Sequence, residues 1–126
     1  ALGGDARAAI AAGGAEAGVV LRVETPVVRA APLVDRVRFV TLLGTAIGVK
    51  GQGLDPAATA RLGEARALIA TRRAPGRCVL AADGGIRETT VPDLVAAGAE
   101  TVVMGSLAFG AKDLPARFAW LHGLRR

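Results

Sequence analysis

Four short apolar runs, 18-GVVLRV-23, 37-VRFVTLL-43, 78-CVLAA-82 and 101-TVVM-104, each give way to a polar or glycine-rich segment and then to a stretch of helical character. The runs are close to continuous rather than alternating. Continuous runs predict strands buried on both faces, hence a parallel sheet covered by helices. A strand followed by a helix, four times over, fits two architectures: an open doubly wound sheet or part of a (β/α)8 barrel.

The punctuation between the runs supports that alternation. Ala6–Ala12 reads as the tail of a helix, stopped by Gly13–Gly14. Thr25–Pro26 opens a short helical stretch, which Pro32 divides from Leu33–Arg36. A glycine-dotted loop, 44-GTAIGVKGQGL-54, follows the second run. Asp55 is expected to cap the next helix with Pro56 at its first position, and Leu62, Ala65, Leu68 and Ile69 fall on one face of it. That helix ends near Thr71–Arg73. Thr89 or Thr90 caps the following one, with Pro92 early in it and Gly98 closing it. Asp113 caps a last helix that carries Leu114, Phe118 and Leu121 on one stripe. No linker or low-complexity segment interrupts residues 1–126, so a single domain is expected.

Composition narrows the function. At 126 residues and 52% hydrophobic, the chain has the means to bury a core. No apolar stretch is long enough to span a bilayer, and the N-terminus lacks the order of a signal peptide, so a soluble, cytoplasmic protein without a membrane partner is expected. The single cysteine, Cys78, reads as a small buried hydrophobe. A net charge of +5 raises nucleic acid as a partner, but the arginines are scattered and aromatics are 3%, too few for a base-stacking platform. No nucleic-acid partner is expected. A mild positive field suits a small phosphorylated substrate instead.

The chemistry-bearing residues sit where runs end. Three of those ends are glycine-rich: 48-GVKGQ-52, 83-DGG-85 and 105-GS-106. Glycine lets backbone N–H groups approach a ligand, and clustered N–H groups bind phosphate. Gly48, Val49, Lys50, Gly51, Gln52, Gly84, Gly85, Gly105 and Ser106 are therefore candidate phosphate-binding residues, with Lys50 adding a point charge and Ser106 a hydroxyl. Asp83 is the candidate for chemistry, since a carboxylate at the end of a parallel strand can ligate a metal or move a proton. A turn-forming role for it stands beside that reading. No dinucleotide or P-loop spacing is present.

The stretches 17-AGVVLRVETP-26 and 83-DGGIRETTVPDLVAAGAETVVMGSLAFG-110 resemble the fifth-strand segment and the seventh and eighth strand units of the ribulose-phosphate 3-epimerase family. The resemblance covers most of residues 17–110. It implies a ribulose-phosphate-binding-type TIM (β/α)8 barrel, of which this chain covers about the C-terminal half, strands five to eight. It also implies a metal-dependent epimerase acting at C3 of a ketopentose phosphate: ribulose 5-phosphate to xylulose 5-phosphate, or a related pair. Two aspartates would transfer the protons, and a divalent cation (Zn, Fe, Mn or Co) would stabilise the enediolate. By this resemblance Asp83 is both acid/base and metal ligand, the glycine-rich loops hold the phosphate, and a homo-oligomer is expected.

The sixth-strand loop of that family usually reads M-x-V-x-P-G-F-G-G-Q, and here it is 43-LGTAIGVKGQ-52. Leu43, Ile47 and Lys50 stand where the pattern has Met, Pro and Gly, while Gly48, Gly51 and Gln52 remain. The other catalytic aspartate and two metal-binding histidines belong to the family's second and third strands, so this chain is expected to be half of a barrel. A different phosphate-binding barrel enzyme, such as a lyase or decarboxylase, and a non-catalytic phosphate-binding half-barrel are the alternative readings.

Overall fold

A computed structural model describes residues 16–47 and 52–124. The expected helix at Ala6–Ala12 lies outside the described residues. Four strands form one parallel sheet: β1 (Gly18–Leu21), β2 (Phe39–Leu43), β3 (Val79–Asp83) and β4 (Thr101–Val103). Between and after them lie a 3-10 helix (Val27–Leu33), α1 (Ala58–Ala70), α2 (Val91–Ala97), α3 (Ser106–Phe109) and α4 (Leu114–Gly123). The strand order is β1-β2-β3-β4. A doubly wound sheet reverses its strand order at a switch point, and none occurs among the described strands. Sequential order, with helices after each strand, is the arc of a barrel wall.

Register sorts the side chains into two faces, because successive residues of a strand point to opposite sides. Val19 pairs with Val40 and Leu21 with Leu42, and these rows continue to Leu80 and Ala82, then to Val102. This outer face packs with Leu62 and Ala65 of α1 and Val91 and Leu94 of α2 in one core. Leu62, Leu80, Leu94, Val40 and Val91 are fully buried there.

The inner face carries Val20, Phe39, Thr41, Leu43, Val79, Ala81, Asp83, Thr101 and Val103. Val20 is 60% exposed, Phe39 41% and Val103 48%. Burial on both faces, expected from the continuous runs, is therefore corrected for the described residues: the helices cover one face only. The runs look continuous because the inner face of a barrel wall is apolar too.

Two boundaries also differ from expectation. Pro32 lies inside the 3-10 helix rather than dividing two segments; its fixed φ suits 3-10 geometry. Asp55 does not cap α1, which starts at Ala58 with Ala57 at the N-cap. Asp55 Oδ1 instead accepts the Ala57 N–H at 2.8 Å, closing a local turn before the helix. Leu114, Phe118 and Leu121 all lie in α4; Leu114 and Phe118 are exposed and Leu121 is half-buried. Asp113 does cap α4, accepting the Ala116 N–H at 3.1 Å. Thr90 stands at the N-cap of α2 and Gly98 at its C-cap.

At the N-terminal ends of the strands, charged side chains tie the connections down. Asp35 Oδ1 accepts the N–H groups of Arg73 and Ala74 at 2.6 and 3.2 Å. Those two bonds, with Arg72 and Arg73 nearby, hold its carboxyl below the usual aspartate range. Arg72 Nε donates to Val34 O at 3.0 Å, and its Nη1 reaches Gly76 O. Arg38 Nη1 donates to Pro75 O at 2.8 Å. Cys78 is buried beside them, and burial pushes its thiol up. No helix of the described residues is long and apolar enough to cross a membrane.

Candidate active site at the C-terminal ends of the strands

Asp83 is the last residue of β3, and its neighbours in register are Leu43 on β2 and Val103 on β4. It therefore stands on the inner face, away from the helices, at the rim where barrel enzymes place their chemistry. Its main chain is fixed by the turn after β2: Gly44 N–H donates to Asp83 O at 2.7 Å, and Asp55 N–H donates to Gly44 O at 2.8 Å. These bonds hold the backbone and leave the carboxylate outside them.

The two glycines that follow are required by the turn itself. Gly84 has φ +92° and Gly85 φ +70°, values that other residues rarely adopt. A Cβ on Gly84 would meet Thr45 Oγ1 at 2.6 Å, and one on Gly85 would meet Leu54 at about 3.0 Å. Gly44 is just as tightly enclosed, since a Cβ there would meet Gly84 O at 2.6 Å. The chain thus turns sharply away from Asp83 and brings the β2 and β3 loops into contact.

An open cleft of about 260 Å³ results, lined by Asp83, Gly84, Gly85, Ile86, Arg87, Val103 and Gly105. The structure thus brings together four of the sequence-derived site residues: Asp83, Gly84, Gly85 and Gly105. Gly105 differs from the others, because a Cβ there would meet nothing within 4 Å. Its carbonyl accepts the Ala108 and Phe109 N–H groups, both at 3.1 Å, and so starts α3. Gln52 is not in the cleft lining; its Oε1 accepts the Ala46 N–H at 2.7 Å and ties the β2 loop to itself. Gly48, Val49, Lys50 and Gly51 lie outside the described residues, and Ser106 is described only as the first residue of α3.

Arg87 lines this cleft and was not singled out from the sequence. A single arginine in a turn has no spacing to mark it, although its place directly after 83-DGGI-86 was a signal. Arg61 was also missed. It is a buried cation without a carboxylate partner among the described residues. Its Nη2 donates to Arg22 O at 2.9 Å and Thr25 O at 2.6 Å, which fixes the loop after β1.

A larger cleft of about 430 Å³ lies between α1 and α2, lined by Arg66, Ile69, Leu80, Val95, Gly98, Ala99 and Glu100. It opens away from the C-terminal strand ends, and its carboxylate, Glu100, is taken up by Arg77. The Asp83 cleft is the better candidate on position and chemistry.

Among the described residues no three His, Cys, Asp or Glu side chains lie together in a way that could hold a metal ion. Asp83 is the sole carboxylate in the described cleft lining. The described residues do not by themselves fit a divalent cation, which takes several such donors.

The chain is 36% identical over 115 residues to "Ribulose-phosphate 3-epimerase 2" of Cupriavidus necator, a match covering 89% of this chain and 48% of that protein. It is 36% identical over 112 residues to "Ribulose-phosphate 3-epimerase" of Aquifex aeolicus, covering 88% and 49% respectively. The chain thus spans about half the length of the curated relatives it matches. Among solved structures, a 3-hexulose-6-phosphate synthase superimposes with a TM-score of 0.65 at 24% identity, covering 96% of this chain and 55% of that one. That likeness shows the fold: the four-stranded parallel sheet is part of a TIM barrel. The family model described as "Ribulose-phosphate 3 epimerase family" matches residues 6–109, and the chain belongs to that family.

Proposed function

We propose that the complete protein is a metal-dependent 3-epimerase of a ketopentose phosphate, ribulose 5-phosphate to xylulose 5-phosphate or a related pair, and that Asp83 carries a proton at C3. The observation that supports this reading most is the placement of Asp83. Its carboxylate ends a central strand on the helix-free face, beside a glycine turn, in a chain of this family.

The chemistry follows from that placement. The C3 proton of a ketose lies α to the C2 carbonyl, so its removal gives a planar enediolate. A carboxylate fixed beside that carbon takes the proton and can return one. Epimerisation needs the second transfer on the opposite face of the plane. No other described strand residue of the inner face is a carboxylate, so in this reading the second acid/base comes from the rest of the protein. Asp83 would also be the one cation ligand that this half supplies, and a divalent cation would stabilise charge on the substrate oxygens. Leu43, beside Asp83 in register, would border the reacting carbons as an apolar wall. The phosphate would sit on backbone N–H groups of the Gly84–Gly85 and Gly105–Ser106 turns and of the Gly48–Gln52 loop, with Lys50 adding charge. Its remote grip positions C3 against the carboxylate.

The test is deuterium exchange from solvent into C3 of a ketopentose phosphate, measured with the full-length protein and with Asp83→Asn. The variant should lose exchange by at least about a hundredfold, the usual scale of general acid–base catalysis. Exchange at the parent rate would remove Asp83 from the chemistry.

A further inference from the structure

The described lining of the Asp83 cleft contains one cation, Arg87. We propose that Arg87 recognises the substrate's phosphate monoester and sets the preference for a phosphorylated over an unphosphorylated ketose. This rests on the sugar-phosphate reading of the same site.

The backbone under Arg87 is held rigidly. Its N–H donates to Thr90 Oγ1 at 2.9 Å, and its carbonyl accepts the N–H groups of Thr90 and Val91 at 3.1 and 2.9 Å. The Thr90 hydroxyl also donates to Gly85 O at 2.5 Å, locking residues 85 to 90 as one unit. The guanidinium, by contrast, makes no hydrogen bond or ion pair among the described residues. The other arginines described at this end are occupied. Arg22 pairs with Glu24 at 2.8 Å, and Arg61 is bonded to two carbonyls. Arg117 pairs with Glu88 and stacks 5.3 Å from the Trp120 ring centroid. An exposed cation rooted on a fixed turn, beside half-buried turn backbone, is free to meet an anion there.

Charge balance points the same way. A phosphate dianion brought into a small cleft with the Asp83 carboxylate meets like-charge repulsion, and a cation in the same lining offsets it. The planar guanidinium fork matches two phosphate oxygens, while turn N–H groups take the others. Arg87 also lines a neighbouring cleft of about 370 Å³ with Glu88, Leu107 and Arg117, where the charges of Glu88 and Arg117 already pair with each other. That cleft therefore offers an anion no free charge beyond Arg87, and the glycine-turn N–H groups that could bond a phosphate lie on the Asp83 side.

The experiment uses full-length protein, R87Q and R87K. Three quantities are read: KM and kcat for the ketopentose phosphate, turnover of the unphosphorylated ketopentose, and inorganic phosphate binding by calorimetry. Losing a charge-assisted bond predicts that R87Q raises both KM and the phosphate Kd about tenfold or more. Its kcat should fall by less than its KM rises, turnover of the unphosphorylated sugar should not fall in step, and R87K should lie between. Phosphate affinity in R87Q equal to the parent's, or no phosphate binding by the parent, overturns the proposal. Should R87Q fail to fold, R87K decides: a phosphate Kd raised a few-fold supports it, and an unchanged Kd overturns it. A parent that turns over no ketopentose phosphate, with phosphate affinity still lost in R87Q, would overturn the epimerase reading and leave Arg87 in place.

Discussion

At the N-terminal ends of the strands, loops are fastened by charged side chains reaching for backbone; at the C-terminal ends, backbone and hydroxyls fasten most of the turns after β2 and β3, while Arg61 clamps the loop after β1. Asp35 takes two N–H groups, and Arg72 and Arg38 take three carbonyls between them, so these charges are used up in holding the chain. At the other end, Gly44, Asp55 and Thr90 hold the turns mainly through main-chain and hydroxyl bonds. Among the described residues, the carboxylate of Asp83 and the guanidinium of Arg87 remain available there. The difference separates two jobs that one rim cannot do with the same groups. A charge already bonded to the fold stabilises it, and a charge left free can meet a ligand.

Substitutions can break or sharpen that contrast. The largest effect expected is on turnover: Asp83→Asn should cost at least about a hundredfold in C3 exchange while the thermal midpoint stays near the parent's. A large fall in the midpoint instead would mean that Asp83 is a structural turn residue, and the contrast between the rims would fail there. Gly84→Ala is the case where the two jobs meet. Its positive φ and the close Thr45 Oγ1 make a methyl group costly, on the order of 1–3 kcal/mol, so both stability and substrate affinity should fall. Thermal melting together with KM checks this; a change in one alone would place the turn in a single role.

Asp35→Asn should have the smallest effect and only on stability, with turnover unchanged. Because Asp35 is held below the usual aspartate range, its contribution is present at neutral pH and is lost as pH falls through that depressed value. The difference in melting temperature between parent and variant should therefore shrink on acidification below the ordinary carboxylate range. A difference that grows on acidification would contradict the assignment.

The repeated apolar runs made the four strands readable, and Thr90, Gly98 and Asp113 marked helix ends correctly because each acts through local chemistry. Asp83, Gly84, Gly85 and Gly105 were readable as a group because they follow strand ends, and strand ends share one rim. Asp55 misled, because Asp-Pro-Ala closes a turn as readily as it opens a helix. The open inner face could not be read from the runs. An apolar residue facing a helix and one facing the inside of a barrel look alike in sequence. Arg87 and Arg61 were hidden by number, being two of the 16 basic residues with no pattern to set them apart. Their different fates, one free and one buried on carbonyls, depend on contacts made across the fold.

The Arg61 clamp has a consequence for chain synthesis. The loop it fastens, at Arg22 and Thr25, lies 39 and 36 residues before it. A chain made from its N-terminus therefore emerges with the strand of that loop long before the clamp exists. The loop gains its fixed shape only once α1 has formed and docked. That end of the rim therefore waits for α1, and a ribosome paused before residue 61 would display it unfastened.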